Sequence, residues 1–221
     1  MPVMQQNSNK KPVLAVVAGP NGSGKTTITE ALLKHHWLES CVYINPDNMA
    51  KELGDWNNPD FSLQAARQAE ALREKLLSQG ESIAFETVFS APDKLDFVKR
   101  AKLAGYFVRL FFVSTDCPSI NAARITKRYL LGGHEVPISK IVDRYYKSIQ
   151  QGVDAIAYAD RLDVFDNSQE GSGAWLRLFK YGPEKKLKLL VNEKELPEWS
   201  LALFKEAKGV ALNNANPRQI N

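Results

Sequence analysis

The sequence predicts an α/β fold in which a parallel five-stranded sheet has helices on both faces and carries a C-terminal β-hairpin appendage. Short apolar runs rich in Val, Ile and Phe alternate with amphipathic stretches of helix length up to residue 167. This alternation is typical of a parallel sheet covered by helices. A glycine-rich segment joins the first apolar run to the first helical stretch, and a turn-rich connector follows Asn167. The connector separates the α/β pattern from a hairpin pattern.

The strands and helices follow one another in simple order. The apolar runs predict strands at 13–18, 41–44, 82–86, 107–114 and 162–166. The amphipathic stretches predict helices at 24–35, 62–77, 94–103, 118–130 and 139–158. Ser62 and Ser139 are the expected N-caps of two of these helices. Among the periodic apolar residues, we expect four to lie in the core: Phe97, Leu103, Phe111 and Ile141.

The predicted organisation has three parts. Residues 1–12 form a disordered N-terminal arm, and residues 13–168 form the core, with a lid around 128–144. Residues 169–221 form a hairpin that turns around Gly182 and Pro183, followed by a helix packed on the core. The last residues are polar, which is typical of a mobile terminus.

Composition and charge exclude several classes of protein. Hydrophobic residues make up 44% and charged residues 24% of the 221 residues, which is ordinary for a globular domain. No apolar run approaches the roughly 20 residues that span a bilayer, so no membrane association is expected. The two cysteines, Cys41 and Cys117, lack metal or redox spacing, which favours a cytoplasmic location. The net charge of +4 fits an anionic small molecule as well as a nucleic acid. No basic run is interleaved with aromatics as a single-strand binder would need, and nucleic acid is not the expected partner.

The segment GPNGSGKT, residues 19–26, matches the phosphate-binding P-loop (Walker A) pattern between a predicted strand and a predicted helix. Its glycines let backbone N–H groups turn toward an anion, Lys25 reaches the β- and γ-phosphates, and the Thr26 hydroxyl binds Mg²⁺. The alternative, a glycine-rich turn that binds nothing, is disfavoured by the flanking elements. The cofactors predicted are therefore ATP and Mg²⁺, and the fold is of the nucleoside-kinase-like P-loop type. The expected nucleotide-binding residues are Gly19, Pro20, Asn21, Gly22, Ser23, Gly24, Lys25, Thr26 and Thr27.

Carboxylates follow two of the predicted strands. Asp47 comes just after the second strand, where Pro46 stiffens the turn. In phosphoryl transfer such a residue can accept the proton of the attacking hydroxyl; the alternative is a cap that opens the next helix. Glu86 and Thr87 end the third strand. Because ligands gather beyond the carboxyl ends of parallel strands, Glu86 is expected to bind Mg²⁺ or a substrate hydroxyl, unless it only caps the following helix.

Three arginines lie around a Gly-Gly turn that two predicted helices flank. Arg128 and Arg144 could place their guanidinium groups on the transferred phosphoryl group, and Arg124 lies one turn before Arg128. Closure of such a lid would exclude water. The alternative is that these arginines only cover solvated helix faces. His134 is interpreted as a turn residue, because no second His or Cys lies at metal-binding spacing.

Taken together, these segments resemble the zeta-toxin group of P-loop kinases, and more closely its small chromosomal members. The resemblance runs over about residues 13–168 and depends on the order of its motifs: GPNGSGKTT, INPD, FETVFS, KRYLLGGHEVP, IVDRYYKS and VFDNS. Zeta toxins of the plasmid-borne type phosphorylate the 3′-hydroxyl of the amino sugar in UDP-N-acetylglucosamine. The resemblance therefore implies a kinase with a nucleotide-sugar substrate, and an antitoxin protein is a candidate partner.

Carried over by position, the resemblance implies a role for each site residue. Lys25, Asp47, Arg128 and Arg144 would be catalytic, with Asp47 as the base. The substrate-binding residues would be Asp47, Glu86, Thr87 and Arg124, and the Mg²⁺-binding residues would be Thr26 and Glu86. The hairpin after Asn167 stands where the larger toxins have extra helices that help to build the sugar-nucleotide pocket.

Two other functions remain as alternatives. A polynucleotide or other nucleotide kinase would use the same loop and base, although no basic groove is evident in the sequence. An ATPase of the ABC type is suggested by LLGGH, but that segment lacks the serine and glutamine of the ABC signature. Asn167 also follows Asp166 where an ATPase needs a carboxylate that activates water.

Overall fold

A computed structural model describes residues 11–35, 38, 40–54, 59–132, 136–169 and 175–215. Its strands are β1 (Val13–Ala18), β2 (Val42–Ile44), β3 (Ile83–Thr87), β4 (Phe107–Ser114), β5 (Arg161–Asp166), β6 (Leu176–Tyr181) and β7 (Lys188–Leu189). Its helices are α1 (Lys25–Leu33), α2 (Pro46–Leu53), α3 (Pro59–Gln79), α4 (Pro92–Leu103), α5 (Pro118–Leu130), α6 (Ile138–Ile156) and α7 (Glu198–Ala215). A short 3₁₀ helix, Glu193–Glu195, precedes α7.

One sheet carries all of these strands, in the order β2-β3-β1-β4-β5-β6-β7. The first five strands in sequence pair with one another in parallel, so the predicted α/β class is confirmed. The predicted number of strands is wrong: in the described part of the chain the sheet has seven strands, not five. The hairpin β6–β7 continues the sheet, because β6 pairs antiparallel with β5, with Leu162 opposite Tyr181. This pairing satisfies backbone groups that β5 would otherwise leave unpaired at an edge.

Alternation along the strands divides the core between the two faces of the sheet. Leu14, Val16 and Ala18 of β1 face the larger cluster, to which α3, α4, α6 and α7 contribute buried side chains. Val17 faces the opposite side, where it packs with Ile28 of α1. Helices therefore cover both faces, as predicted.

Proline marks the beginning of several helices, and this moves two predicted N-caps. Helix α3 begins at Pro59, so Ser62 lies inside its first turn. Helix α6 has Pro137 as its N-cap, so Ser139 is its second residue. Proline suits these positions because its fixed φ matches the helix and its missing N–H has no partner to lose. The predictions of Ser62 and Ser139 as caps are therefore wrong, although the bounds of the predicted elements differ from the observed ones by at most three residues.

Three of the four predicted core residues are buried: Phe97, Phe111 and Ile141 are 2%, 3% and 1% exposed. Leu103 is 88% exposed, so its prediction as a core residue is wrong. It is the last residue of α4, just before the turn that leads into β4. The predictions for residues 1–10, for His134 and for residues 216–221 lie outside the described residues. No helix in the described part of the chain combines the length and the apolar character needed to cross a membrane.

Candidate active site

The loop between β1 and α1 is tightly enclosed, which explains two of its glycines. Gly19 has φ of 151°, and a Cβ atom there would lie 1.9 Å from the carbonyl oxygen of Val113. Gly24 caps α1 in the left-handed conformation, with φ of 91°, and a Cβ atom there would lie 2.2 Å from the side-chain nitrogen of Asn167. Any side chain at either position would force the loop away from its supports.

Two asparagine side chains fix the loop from outside. Asn167, just after β5, donates from Nδ2 to the carbonyl oxygen of Ser23 over 2.8 Å. Asn121 of α5 is fully buried and donates from Nδ2 to the carbonyl oxygen of Asn21 over 2.5 Å. Because these carbonyls are held from behind, the loop has a defined shape before any ligand binds.

Lys25 lies near Arg128 of α5 and the carboxylates of Glu86 and Asp47. Its Nζ donates to the carbonyl oxygen of Pro20 over 2.9 Å. Burial lowers the pKa of Lys25 to about 8; Glu86 and Asp47 oppose this effect, and Arg128 adds to it. The lysine is thus held against the loop by this hydrogen bond. Because burial disfavours its charged form, an anionic partner would stabilise the ammonium group.

Glu86 connects three elements at the end of β3. Its Oε2 accepts from Thr26 Oγ1 over 3.0 Å, and its Oε1 accepts from the Tyr43 hydroxyl over 2.6 Å. Asn45 Nδ2 donates to the same tyrosine oxygen over 3.0 Å. Burial, with the hydrogen bond and charge of Glu86, raises the pKa of Tyr43. The phenol therefore stays neutral and continues to donate its hydrogen bond to the carboxylate.

The donor set of Thr26 and Glu86 fits Mg²⁺. A hydroxyl and a carboxylate within 3.0 Å of each other are hard oxygen ligands, and Mg²⁺ commonly takes one or two protein ligands together with substrate phosphates. Among the described residues there is no cluster of three or more His, Cys, Asp or Glu side chains that could hold a metal by itself.

Asp47 is left free by the way α2 begins. Asn45 is the N-cap: its Oδ1 accepts from the backbone N–H of Asp47 over 2.9 Å, and Pro46 is the first helical residue. The capping role considered for Asp47 thus belongs to Asn45. The exposed carboxylate of Asp47 lines a cavity that Lys25 and Thr26 of the loop also line.

A cavity of about 550 Å³ brings the predicted site residues together. It extends from the loop to the residues after β3 and to helices α5 and α6. Of the predicted residues, it is lined by Asn21, Gly22, Lys25, Thr26, Asp47, Glu86, Thr87, Arg128 and Arg144. A volume of this size has room for a phosphate chain and an acceptor together.

A smaller cavity of about 230 Å³ also borders the loop lysine. It is lined by Gly22, Gly24, Lys25, Thr26, Thr27, Arg124, Ile125 and Arg128. Arg128 therefore borders both cavities, whereas Arg124 borders only the smaller one. The Arg124 guanidinium also donates to the carbonyl oxygens of Ser168 and Gln169, over 3.4 and 3.3 Å.

The turn after β3 shapes the floor of the larger cavity. Thr87 Oγ1 accepts from the backbone N–H of Phe89 over 3.0 Å. Phe89 has φ of 56° and is only 1% exposed. A buried aromatic residue in the left-handed region is uncommon and persists where its surroundings hold it in place. The hydroxyl of Thr87 is one of those supports.

Several residues of the site escaped the sequence analysis. Asn45 had a usable signal, since an Asn-Pro pair after a strand is typical of a helix start. Tyr43 could be placed only once β2 and β3 were known to be neighbours. Arg73 and Lys94 also line the larger cavity, but they stand in helical stretches that contain several other charged residues, and nothing in the sequence marks them.

Comparisons with known proteins agree with the fold and the loop. The family model described as zeta toxin matches residues 3–172. An uncharacterized protein of Haemophilus influenzae is 28% identical over 127 residues, which cover 58% of this chain and 88% of that protein.

Two solved structures are similar in fold. A chain from the PezAT chromosomal toxin-antitoxin system of Streptococcus pneumoniae gives a TM-score of 0.59 at 20% identity, over 97% of this chain and 89% of that one. A chain from the crystal structure of AvrRxo1-ORF1:-ORF2 with ATP gives a TM-score of 0.61 at 17% identity. That match covers 82% of this chain but only 61% of the AvrRxo1 chain.

Proposed function

The chain belongs to the zeta toxin family, and on that premise we propose that it is an ATP-dependent kinase that transfers the γ-phosphate to a sugar hydroxyl, specifically of UDP-N-acetylglucosamine. Family membership and the P-loop support an ATP-binding, kinase-type function. The identity of the acceptor, a sugar nucleotide, is the more specific element of what we propose.

One observation carries the proposal: a single cavity of about 550 Å³ is lined both by Lys25 and Thr26 of the loop and by the exposed carboxylate of Asp47. A nucleotide site that only hydrolyses ATP needs a group that positions water, whereas a kinase needs room for a second substrate. Asp166, the carboxylate at the end of β5, is engaged otherwise: its Oδ1 accepts from Ser168 Oγ over 2.6 Å. It does not line either cavity.

The roles follow from position. Lys25 would bind the β- and γ-phosphates, and Thr26 with Glu86 would hold Mg²⁺, which supplies neutralisation of phosphate charge when bound. Asp47 would accept the proton of the acceptor hydroxyl while the new O–P bond forms and the bond between the β- and γ-phosphates breaks, releasing ADP. Arg128 and Arg144, which border the larger cavity, would stabilise the charge on the moving phosphoryl group.

Two assignments are more specific. Arg124, which we expected to bind the acceptor, borders only the smaller cavity, so we assign it to the nucleotide side.

The solved structure of the PezAT toxin-antitoxin system supports an antitoxin protein as the partner of this chain.

The test is phosphotransfer followed by ³¹P NMR. The protein is incubated with Mg²⁺ and ATP and a panel of UDP-sugars, nucleosides and oligonucleotide ends. A new phosphomonoester on UDP-N-acetylglucosamine is the expected result. A product on oligonucleotide ends would identify a polynucleotide kinase instead, and ATP hydrolysis that no acceptor alters would contradict a kinase altogether.

Asp47→Asn tests the base. Because the base acts on the acceptor and not on the phosphates, the variant should lose about 10²- to 10⁴-fold in transfer rate while its affinity for a non-hydrolysable ATP analogue stays nearly unchanged. Glu52→Gln is the matched control, since Glu52 is an exposed carboxylate on the same helix and does not line the cavity. Retained activity in Asp47→Asn would place the base elsewhere.

A further inference from the structure

A buried arginine that the proposed chemistry does not use lines the larger cavity. Arg73, on α3, is only 4% exposed, and its guanidinium lies over the ring of Phe85, 5.2 Å from the ring centroid. Phe85 precedes Glu86 on β3. Arg73 borders the larger cavity but not the smaller one.

The carboxylates around Arg73 are largely engaged by other cations. Glu74 accepts two hydrogen bonds from Arg100, at 2.7 and 2.6 Å, and Asp93 is paired with Lys94. Glu70 is exposed. Within the described part of the chain, no carboxylate forms an ion pair with Arg73.

A guanidinium buried to this degree is costly unless an anion accepts its hydrogen bonds. Contact with the face of Phe85 offsets part of that cost. Within the described residues, however, it leaves the guanidinium N–H groups without a hydrogen-bond acceptor. Since Arg73 borders a ligand cavity, the missing acceptor is most simply a group of the ligand. Because Arg73 borders the cavity that Asp47 lines and not the smaller one, we assign that ligand to the acceptor.

We propose that Arg73 binds a phosphate of the acceptor, so that the enzyme selects phosphorylated acceptors over neutral sugars. This inference rests on the proposed function, because it describes the second substrate of the same site. The guanidinium fork matches two phosphate oxygens with parallel hydrogen bonds, and it would hold the acceptor by a group remote from the hydroxyl that reacts. Binding energy from such a remote group orients the hydroxyl toward Asp47.

The experiment is equilibrium binding by titration calorimetry. The protein is first saturated with Mg²⁺ and a non-hydrolysable ATP analogue, so that the P-loop is filled. UDP-N-acetylglucosamine, N-acetylglucosamine 1-phosphate, N-acetylglucosamine and glucuronate are then titrated in turn. The variants are Arg73→Gln, Arg73→Lys and the matched control Arg67→Gln, since Arg67 is an exposed arginine of the same helix that does not line the cavity.

The wild-type protein should bind the two phosphorylated compounds and discriminate against N-acetylglucosamine and glucuronate. Arg73→Gln should weaken binding of the phosphorylated compounds by about 10- to 100-fold, as expected for the loss of hydrogen bonds to a charged group. Arg73→Lys keeps the charge without the fork and should lose less. Arg67→Gln should equal the wild type, and all variants should bind the ATP analogue as the wild type does.

Several outcomes would overturn the inference. These are wild-type affinity of Arg73→Gln for the phosphorylated compounds, equal or tighter binding of the neutral sugar or of glucuronate by the wild type, and no binding of either phosphorylated compound. If Arg73→Gln does not fold, the comparison of Arg73→Lys with wild type decides by the same criteria. Failure of the proposed function is seen separately, as absence of phosphotransfer in the NMR experiment, whatever the binding data show.

Discussion

Lys25 is a cation whose charge depends on its surroundings. Burial lowers its pKa from 10.5 to about 8, and neighbouring Arg128 adds to this effect. Because the lysine loses its proton more easily than in solution, it becomes neutral as the pH rises through about 8. A neutral lysine no longer attracts the β- and γ-phosphates, so nucleotide affinity should depend on pH in a range where most lysines remain charged.

We therefore expect the affinity for a non-hydrolysable ATP analogue to be constant below about pH 7 and to fall above pH 8, by up to tenfold per pH unit. Titration calorimetry from about pH 6.5 to 9.5 measures it. Lys25→Arg is the control, because arginine stays protonated over this range; whatever its affinity, it should show no such decline. A flat wild-type profile, or the same decline in Lys25→Arg, would contradict the expectation.

At the scale of single residues, the sequence identified the side chains that have a motif and overlooked those that depend on tertiary placement. Lys25, Thr26, Asp47 and Glu86 were found because each stands in a recognisable segment, and all four line one cavity. Arg73 was overlooked because a charged residue among other charged residues of a helix gives no sign of its burial. Whether such a residue faces solvent or a cavity is decided by the packing of α3 against the sheet.

The P-loop as an element is held from behind by side chains far away in sequence. Asn167 Nδ2 donates to the Ser23 carbonyl over 2.8 Å, which ties the end of β5 to the loop. If this bond preorganises the loop, Asn167→Ala should weaken binding of the ATP analogue by about 3- to 10-fold, since one such hydrogen bond contributes roughly 0.5 to 1.5 kcal/mol.

The chain offers a matched control for Asn167→Ala. Asn214 in α7 makes the same kind of bond, from Nδ2 to the carbonyl oxygen of Glu184 over 3.1 Å, and it does not line either cavity. Asn214→Ala should leave nucleotide affinity unchanged. Equal effects of the two substitutions, measured by titration calorimetry, would mean that Asn167 has no particular role in the loop.

The helices and strands were largely predictable from the sequence, whereas the N-terminal caps of two helices were not. Periodicity located β1, β4 and α5 with the observed bounds, because long apolar and amphipathic patterns leave little choice. Serines at plausible cap positions were misleading, since Pro59 and Pro137 already define where α3 and α6 begin. Where two local signals compete, the one that restricts the backbone itself prevails over the one that only offers a hydrogen bond.

For the whole molecule, the C-terminal segment belongs to the core of the kinase fold. The Trp199 ring of α7 lies 6.1 Å from that of Phe112 in β4, between ring centroids, and Leu203 is fully buried. The hairpin was expected to be an appendage because its polar turn hides its pairing with β5. Strand pairing between distant segments depends on the geometry of the whole sheet, which local patterns do not contain.

Leu203→Ala should therefore destabilise the whole protein by about 2 to 5 kcal/mol. Leu201→Ala is the matched control on the same helix, because Leu201 is 47% exposed, and it should change stability by less than about 0.5 kcal/mol. Urea denaturation followed by tryptophan fluorescence measures the free energy of unfolding, and loss of ATP-analogue binding should coincide with that transition. A separate, earlier transition of the C-terminal segment would contradict a shared core.

Arg128 borders both cavities, and this has a thermodynamic consequence for how the two ligands affect each other. A ligand in one cavity that favours one conformation of this side chain changes the free energy of filling the other cavity. Linkage requires the effect to be mutual: the factor by which nucleotide changes the affinity for the acceptor equals the factor by which acceptor changes the affinity for nucleotide. The part of any cooperativity that depends on the Arg128 side chain would be lost in Arg128→Ala, which would move that factor toward one.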